Sequence, residues 1–307
     1  MSKKQYKFSV CTACFNSEKT LHRVYESLES QTFRDFEWII INDASTDGTL
    51  QLIQSYIERA LFDIRFIDLP ENHMVTWCYN LAVKESRGEF LLHLDHDDAC
   101  DSDTLFRFDQ VWSGIDINQK KHLAGMMCNC KNQHGYLVGR QFYNAPCIDN
   151  FWNMTIRRKV NGEKFFCYRV EVLLKNNFPT IDRYVPENVP LYNISDQYDT
   201  YFFNDTLRTY HVDQDDYEGL SSLRSLDFPK GFRHANKEMI NRRIMKLVLT
   251  PKLFIFVLLS YAGLSSLSKM PFGLSIKEIK HPLSRIVVMC LYPIGVIKYK
   301  LMQRKLR

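Results

Sequence analysis

The first hundred residues alternate four times between a short apolar run and a polar, helix-like stretch, and few folds accept that pattern. Residues 8–14 are apolar with Val and Thr and stop at Asn16 and Ser17, as a buried strand does. Leu21, Val24, Tyr25 and Leu28 follow at helical spacing, with Ser17 positioned to cap them. Residues 36–41 read as a second strand. The loop 43–48 is turn-rich, and its Asp47 can cap a helix containing Leu50, Ile53 and Ile57. Residues 64–69 form a third strand. A helix over 75–84 stops at Arg87-Gly88, and a fourth strand, 90–94, runs into Asp95-His96-Asp97-Asp98. Such alternation predicts an α/β fold: a mostly parallel sheet with helices on both faces. These sheets bind ligands beyond the carboxyl ends of their strands. Asn16, Asp43 and Asp95 to Asp98 all fall there.

The other 200 residues are less regular. Over 104–240 the apolar and polar stretches mix, and Pro179, Pro186 and Pro190 mark loops. From Met245 the composition changes: residues 253–261 are almost wholly apolar, and 286–297 are apolar apart from a Pro and a Gly. Each run is shorter than the roughly 20 residues of a bilayer span. Lys252, Lys269 and a tail carrying Lys298, Lys300, Arg304, Lys305 and Arg307 flank them. The expectation is a C-terminal helical membrane-associating segment, held at an anionic leaflet, with a helical cap on the core as the alternative. The predicted domains are therefore 1–240, divided into 1–103 and 104–240, and 241–307.

Composition excludes some functions. Forty basic residues against 35 acidic ones leave a net charge of +5, and outside the tail no basic stripe interleaves with aromatics, so nucleic acid is not an expected partner. Nine cysteines are an odd number, and residues 1–7 are polar with no apolar signal core. Both point to free thiols in a reducing, cytoplasmic setting. Cys11 and Cys14 lie three apart on a predicted strand and so face opposite ways, which argues against a shared zinc ion.

The acidic cluster carries the chemistry. Three carboxylates within four positions repel one another unless positive charge sits among them. Asp95 and Asp97 project to one side of an extended chain and can share a ligand. Oxygen ligands suit Mg²⁺ or Mn²⁺, which bridge protein to phosphate, and a pyrophosphate leaving group fits that arrangement. A solvated acidic turn before a helix at Thr104 is the plainer alternative.

These residues resemble the family 2 glycosyltransferases of GT-A fold. The resemblance rests on FSVCTACFNSEKTLHRVYESLESQTFRDFEWIIINDASTDGT and SRGEFLLHLDHDD, over about the first 100 residues. GEKFFCYR and VPENVPLYNISDQYDTYFFNDTLRTYH look like the acceptor-side half of bacterial members that build surface glycans. The resemblance implies that Asp43 reads the nucleobase, with Thr12, Cys14, Asn16 and Asp47 lining the same pocket and Asn80 on the donor side. It implies that Asp95 holds the ribose and Asp97 the metal, with Asp98 beside them. His211 would be a late metal ligand, with Asp213, Asp215 and Asp216 as rivals. Glu187 would be the catalytic base, with Asp182 and Asp196 as rivals. Trp152, Glu163 and Asp98 would face the acceptor. The stretch HMVTWCYNLAVKESRG departs from the family pattern: Tyr79 stands where an Arg is expected, and His73 and Met74 replace small residues.

The expected activity is metal-dependent, inverting sugar transfer from a nucleotide-diphosphate donor, a UDP-sugar by resemblance, to a glycan or lipid-linked acceptor at the cytoplasmic face of the membrane. A nucleotidyltransferase would need a Gly-rich, basic loop after the first strand, and CTACFNSEK has no glycine. A processive synthase would carry Q-x-x-R-W, but no Trp here follows an Arg. A catalytically inactive membrane-docked scaffold is the non-enzymatic alternative.

Overall fold

The computed structural model describes residues 5–211 and 225–305. Asp213, Asp215, Asp216 and Arg307 lie outside the described residues. The predicted alternation is present as β1 (Tyr6–Cys14), α1 (His22–Glu29), β2 (Phe36–Asn42), α2 (Thr49–Arg59), β3 (Asp63–Asp68), α3 (Val75–Glu85) and β4 (Gly88–His93). There follow β5 (Ala99–Cys100), α4 (Thr104–Gly114), α5 (Ile117–Lys120), β6 (Leu123–Asn132), β7 (Cys147–Asp149), a π-helical turn (Asn153–Arg157), β8 (Lys164–Arg169), α6 (Val170–Leu173), α7 (Asn188–Ile194) and β9 (Asp199–Tyr210). Four helices complete the chain: α8 (Pro229–Val248), α9 (Pro251–Leu267), α10 (Phe272–Lys277) and α11 (Pro282–Lys305).

The strands form one sheet in the order β3-β2-β1-β4-β8-β6-β9-β5, with β7 on β9. The first four are mutually parallel. Beyond β4 the sheet is mixed: β8 runs antiparallel to β4 and β6, while β9 is parallel to β6 and antiparallel to β5 and β7. The expectation of a mostly parallel sheet thus holds for the N-terminal half alone. The reason is in the connections, since a parallel neighbour needs a long crossover, usually helical, and an antiparallel one does not.

All seven residues of β2 are buried, as a strand covered on both faces requires. Phe36, Trp38 and Ile40 share a cluster with Val24, Tyr25 and Leu28 of α1, Tyr56 of α2, and Phe108 of α4. Helix α3 contacts β1 and β2, and its Tyr79 meets His93 of β4 edge-on, with ring centroids 5.4 Å apart. The S-x-x-x-Q element has a structural role. Buried Gln31 donates to the Ser27 and Asp101 carbonyls and accepts from the Leu105 amide, while the Ser27 hydroxyl accepts from the Cys100 amide. Together they tie the end of α1 to β5 and α4. Ser17 does not cap α1. Its carbonyl instead accepts from Thr20 and Leu21 in a turn, and the helix starts at His22.

The chain divides into two compact units, Met1–Asn177 with Pro190–Asp215, and Phe178–Val189 with Asp216–Arg307. This replaces the expected boundary at 240/241. Helix α8 continues through that point, kinks at Arg243 (φ −129°) and packs on α9. Within the second unit, Arg233 of α8 donates to Ser265 and Tyr261 of α9 and pairs with Glu278. The Asp182 carboxylate accepts from the Gly231 amide near the start of α8.

Helices α9 and α11 cross on glycines. A Cβ at Gly263 would lie 2.3 Å from the Tyr299 ring, and one at Gly295 would lie 2.5 Å from the Leu259 carbonyl. Gly263→Ala should therefore destabilise the protein by about 1–3 kcal/mol through overpacking. A lowered urea midpoint would show it, and an unchanged midpoint would mean that the crossing can relax.

Candidate active site

The chain order of the parallel half reverses at β1, with β2 on one side and β4 on the other. A ligand crevice forms at such a switch point, and three loops meet at its carboxyl edge. In the first, Asn16, held at φ 53°, accepts from the Thr46 amide at 2.8 Å. This joins the end of β1 to the loop after β2. In the second, Asp47 accepts from the Thr49 and Glu18 amides at 3.0 and 3.2 Å and from the Thr49 hydroxyl. Burial works to raise its pKa, but these hydrogen bonds outweigh it and hold the carboxyl below the usual range.

Asp43 is 3% exposed. Its two oxygens accept from the amides of His73 and Met74 at 2.7 and 2.8 Å. Here the carboxylate fixes the entry to α3, where Met74 sits at φ 70°, and does not open toward a ligand. His73 stacks on Trp77 at 4.2 Å. Asn80 is half-buried on α3.

The third loop is the acidic cluster, and it turns where an extended chain was expected. The Asp98 amide donates to the Asp95 carbonyl at 3.2 Å, so strand alternation does not govern which carboxylates meet. Asp95 and Asp98 converge instead on Arg208 of β9, which is 4% exposed and ion-paired to both. Arg208 Nε donates to Asp98 Oδ2 at 2.5 Å, and the His211 amide donates to Asp98 Oδ1 at 2.9 Å. Asp95 Oδ1 also lies 3.4 Å from His93 Nε2. Burial pushes Asp95 upward, yet Arg208 and then His93 and His96 hold it down, at about 2. Burial pushes His93 down, toward its neutral form. The turn is anchored from outside by the Arg23 guanidinium on the Asp97 carbonyl at 2.8 Å, and by Thr20 Oγ1, 3.1 Å from His96 Nδ1.

Asp97 differs from its neighbours. It is half-buried and makes no salt bridge among the described residues. Burial first, and the nearby Asp95 charge, raise its pKa. Glu163, just before β8, is likewise raised by burial and feels the charges of Arg208, Asp95 and Asp97.

Among the described residues no group of three or more His, Cys, Asp or Glu side chains is arranged to hold a metal ion. A single carboxylate fits a mode in which Mg²⁺ or Mn²⁺ is held by one or two carboxylates together with substrate phosphates and water. Asp97 meets that requirement. The His211 backbone is bound to the same turn.

The structure corrects four expected contacts. The Thr12 hydroxyl is fully buried, accepting from Trp38 Nε1 and donating to the Leu94 carbonyl. It braces the entry to the acidic turn and cannot reach a ligand. Cys14 is fully buried, and burial keeps its thiol protonated. Trp152 is 1% exposed with its ring edge-on to Tyr192 at 5.1 Å. It is a core side chain, unable to face an acceptor. Asp98 is also fully buried, bound to Arg208 and the His211 amide. Glu187 is exposed, just before α7, in the stretch that belongs to the second unit. Of its rivals, Asp182 is committed to Gly231, and Asp196 is exposed after α7. Arg208 and His93 were missed: each is one residue in an apolar or mixed strand, and no spacing singles it out.

Residues 9–110 match the model of the family described as Glycosyl transferase family 2. Over 102 residues, 32% of this chain, it is 36% identical to poly(ribitol-phosphate) beta-N-acetylglucosaminyltransferase TarS of Staphylococcus aureus. Over 92 residues it is 35% identical to a teichoic acid poly(glycerol phosphate) polymerase of Staphylococcus epidermidis. The matched stretch spans only 18% of the first relative and 13% of the second. The crystal structure of S. aureus TarS 1–349 in complex with UDP-GlcNAc covers 97% of this chain, with 92% of its own length, at TM-score 0.61 and 19% identity. A mannosyltransferase of Pyrobaculum calidifontis in complex with GDP-Man and Mn²⁺ gives TM-score 0.59 at 15% identity, over 97% of this chain and 87% of its own. The fold is thus the GT-A type expected from the sequence. Residues 9–110, which hold the βα repeats and the acidic turn, are thus similar to glycosyl transferase family 2.

Proposed function

We propose that the protein transfers a sugar from a nucleotide-diphosphate donor, a UDP-sugar, to a glycan or lipid-linked acceptor in cell-surface polymer synthesis. The observation that carries this reading is the acidic turn after β4. Arg208 neutralises Asp95 and Asp98, while Asp97, at the carboxyl edge of the sheet, makes no salt bridge among the described residues. TarS, bound to UDP-GlcNAc in its crystal structure, supports the choice of donor.

In this mechanism Asp97 would hold a divalent cation on the donor side, and Asp95 would accept from the ribose with the lone pairs that Arg208 leaves. When bound, the cation offsets charge growing on the leaving nucleotide. His211, whose backbone amide is bound to Asp98 of the same turn, would assist Asp97. Glu187 takes the proton of the acceptor hydroxyl as the nucleotide leaves on the opposite face, which inverts the sugar. Glu163 orients the acceptor.

The direct test is nucleotide release from UDP-, GDP- and TDP-sugars, with Mn²⁺ or Mg²⁺ against a chelator. Release from the UDP-sugar that the chelator abolishes is the expected result. If no donor is bound even with metal present, the protein is a scaffold and the proposal is wrong. Glu187→Gln should lower transfer by about 10²-fold while donor affinity is unchanged. An active variant would move the base to another carboxylate.

A further inference from the structure

Helix α11 presents apolar side chains on two sides. Ser284, Val288, Gly295 and Tyr299 face inward and are buried, and the Tyr299 hydroxyl is 2.6 Å from Ser260 Oγ of α9. On the other side Ile286, Ile294, Ile297 and Leu301 are each more than half exposed, and Phe256 of α9 and Leu274 of α10 extend the same exposed apolar character at 53% and 51%. A stripe of that extent marks an interaction surface. The charge around it has one sign. Between residues 245 and 305 the sequence carries ten Lys or Arg and one acid, Glu278, and Arg233 already pairs with that acid. Lys298 Nζ lies 5.5 Å from the Phe256 ring centroid, so cations border the apolar side chains directly.

We infer that this face of α11 docks in the plane of an anionic lipid bilayer, with the outer apolar side chains in the acyl boundary and the lysines and arginines on the headgroups. The inference is independent of the donor chemistry. At 24 residues α11 is longer than its apolar run implied, and its length and composition would allow it to cross a membrane. Its packing argues for the in-plane pose. The inner face is committed to α9, and α9 to α8, which carries Lys237, Glu238 and Arg242. A spanning α11 would drag those charges toward hydrocarbon, whereas docking flat immerses only the uncovered side. A second copy of the chain is a poor occupant, because two such faces would bring cation against cation with no free acid between them.

The test uses the full chain in vesicle flotation, comparing phosphatidylcholine mixed with phosphatidylglycerol against pure phosphatidylcholine. Binding to the anionic vesicles, weakened on the order of tenfold in their neutral counterparts, is expected. Ile286→Glu with Ile297→Glu should abolish it, and both sites are exposed, so folding should survive. Lys298→Glu with Lys300→Glu should weaken it by a similar factor and remove its salt dependence. Exposed Cys290, labelled with a polarity-sensitive dye in a Cys147→Ser background, should shift to the blue on anionic vesicles only. Absent or charge-independent binding would overturn the proposal. So would resistance to alkaline extraction, which would mean a span, or a dimer that Ile297→Glu dissociates. UDP-sugar hydrolysis by these variants in detergent-free solution should match the wild type, which separates this test from that of the proposed activity.

Discussion

Replacing Arg208 with methionine should cost about 3–5 kcal/mol of stability, the usual penalty for removing one partner of a buried ion pair. Arg208 is 4% exposed, and its guanidinium is the salt-bridge partner of both Asp95 and fully buried Asp98. Without it Asp98 keeps the His211 amide as a hydrogen-bond donor but loses its counter-charge. The carboxyl would then take up a proton to avoid a bare buried charge. Asp98→Asn added to Arg208→Met should recover much of the loss, since the pair would then be absent as a whole. Chemical denaturation of the two variants checks this. A loss below about 1 kcal/mol for Arg208→Met would mean that solvent reaches the pair and screens it. Activity gives a second readout. The double variant should fold yet stay impaired, because Asp95 would no longer be held at about 2 or aimed by the guanidinium.

Asp97→Asn should behave oppositely, sparing the fold and removing the chemistry. Burial and the neighbouring Asp95 charge raise the Asp97 pKa, so ionising it costs more than it would in water. A neutral isostere relieves that, and the thermal midpoint should hold or rise. Metal-stimulated donor turnover should fall by at least about 10³-fold, because the charge stabilisation a cation supplies is worth several kcal/mol. Calorimetry of Mn²⁺ with UDP should show binding to the wild type and none to the variant. Retained metal-dependent turnover would move the ligand to Asp95 or Glu163.

Much of the N-terminal half was legible because burial there is written in local pattern. A strand covered on both faces must be continuously apolar, and residues 36–41 are. A helix on a sheet must show apolar spacing, and Val24, Tyr25 and Leu28 do. The second half resisted the same reading because β6, β8 and β9 pair across long sequence separations. Their mixed directions depend on tertiary partners and not on alternation. Trp152 shows the limit for single residues. An aromatic in a polar stretch reads equally as an acceptor platform or as core, and only the contact with Tyr192 decides it.

Sequence alone determined where the carboxylates sit: at the end of an apolar strand that closes a run of parallel βα units, the place where such sheets meet ligands. It also required positive charge among them, because adjacent carboxylates cannot all ionise unaided. The tertiary structure decided what supplies that charge. Arg208 lies 110 residues from Asp98 and comes to the turn only because β9 pairs with both β5 and β6. That pairing makes Asp95 and Asp98 partners of an internal cation, while Asp97 makes no salt bridge among the described residues. Coulomb interactions act through space, and the spacing of residues along a chain does not contain the distances that set them.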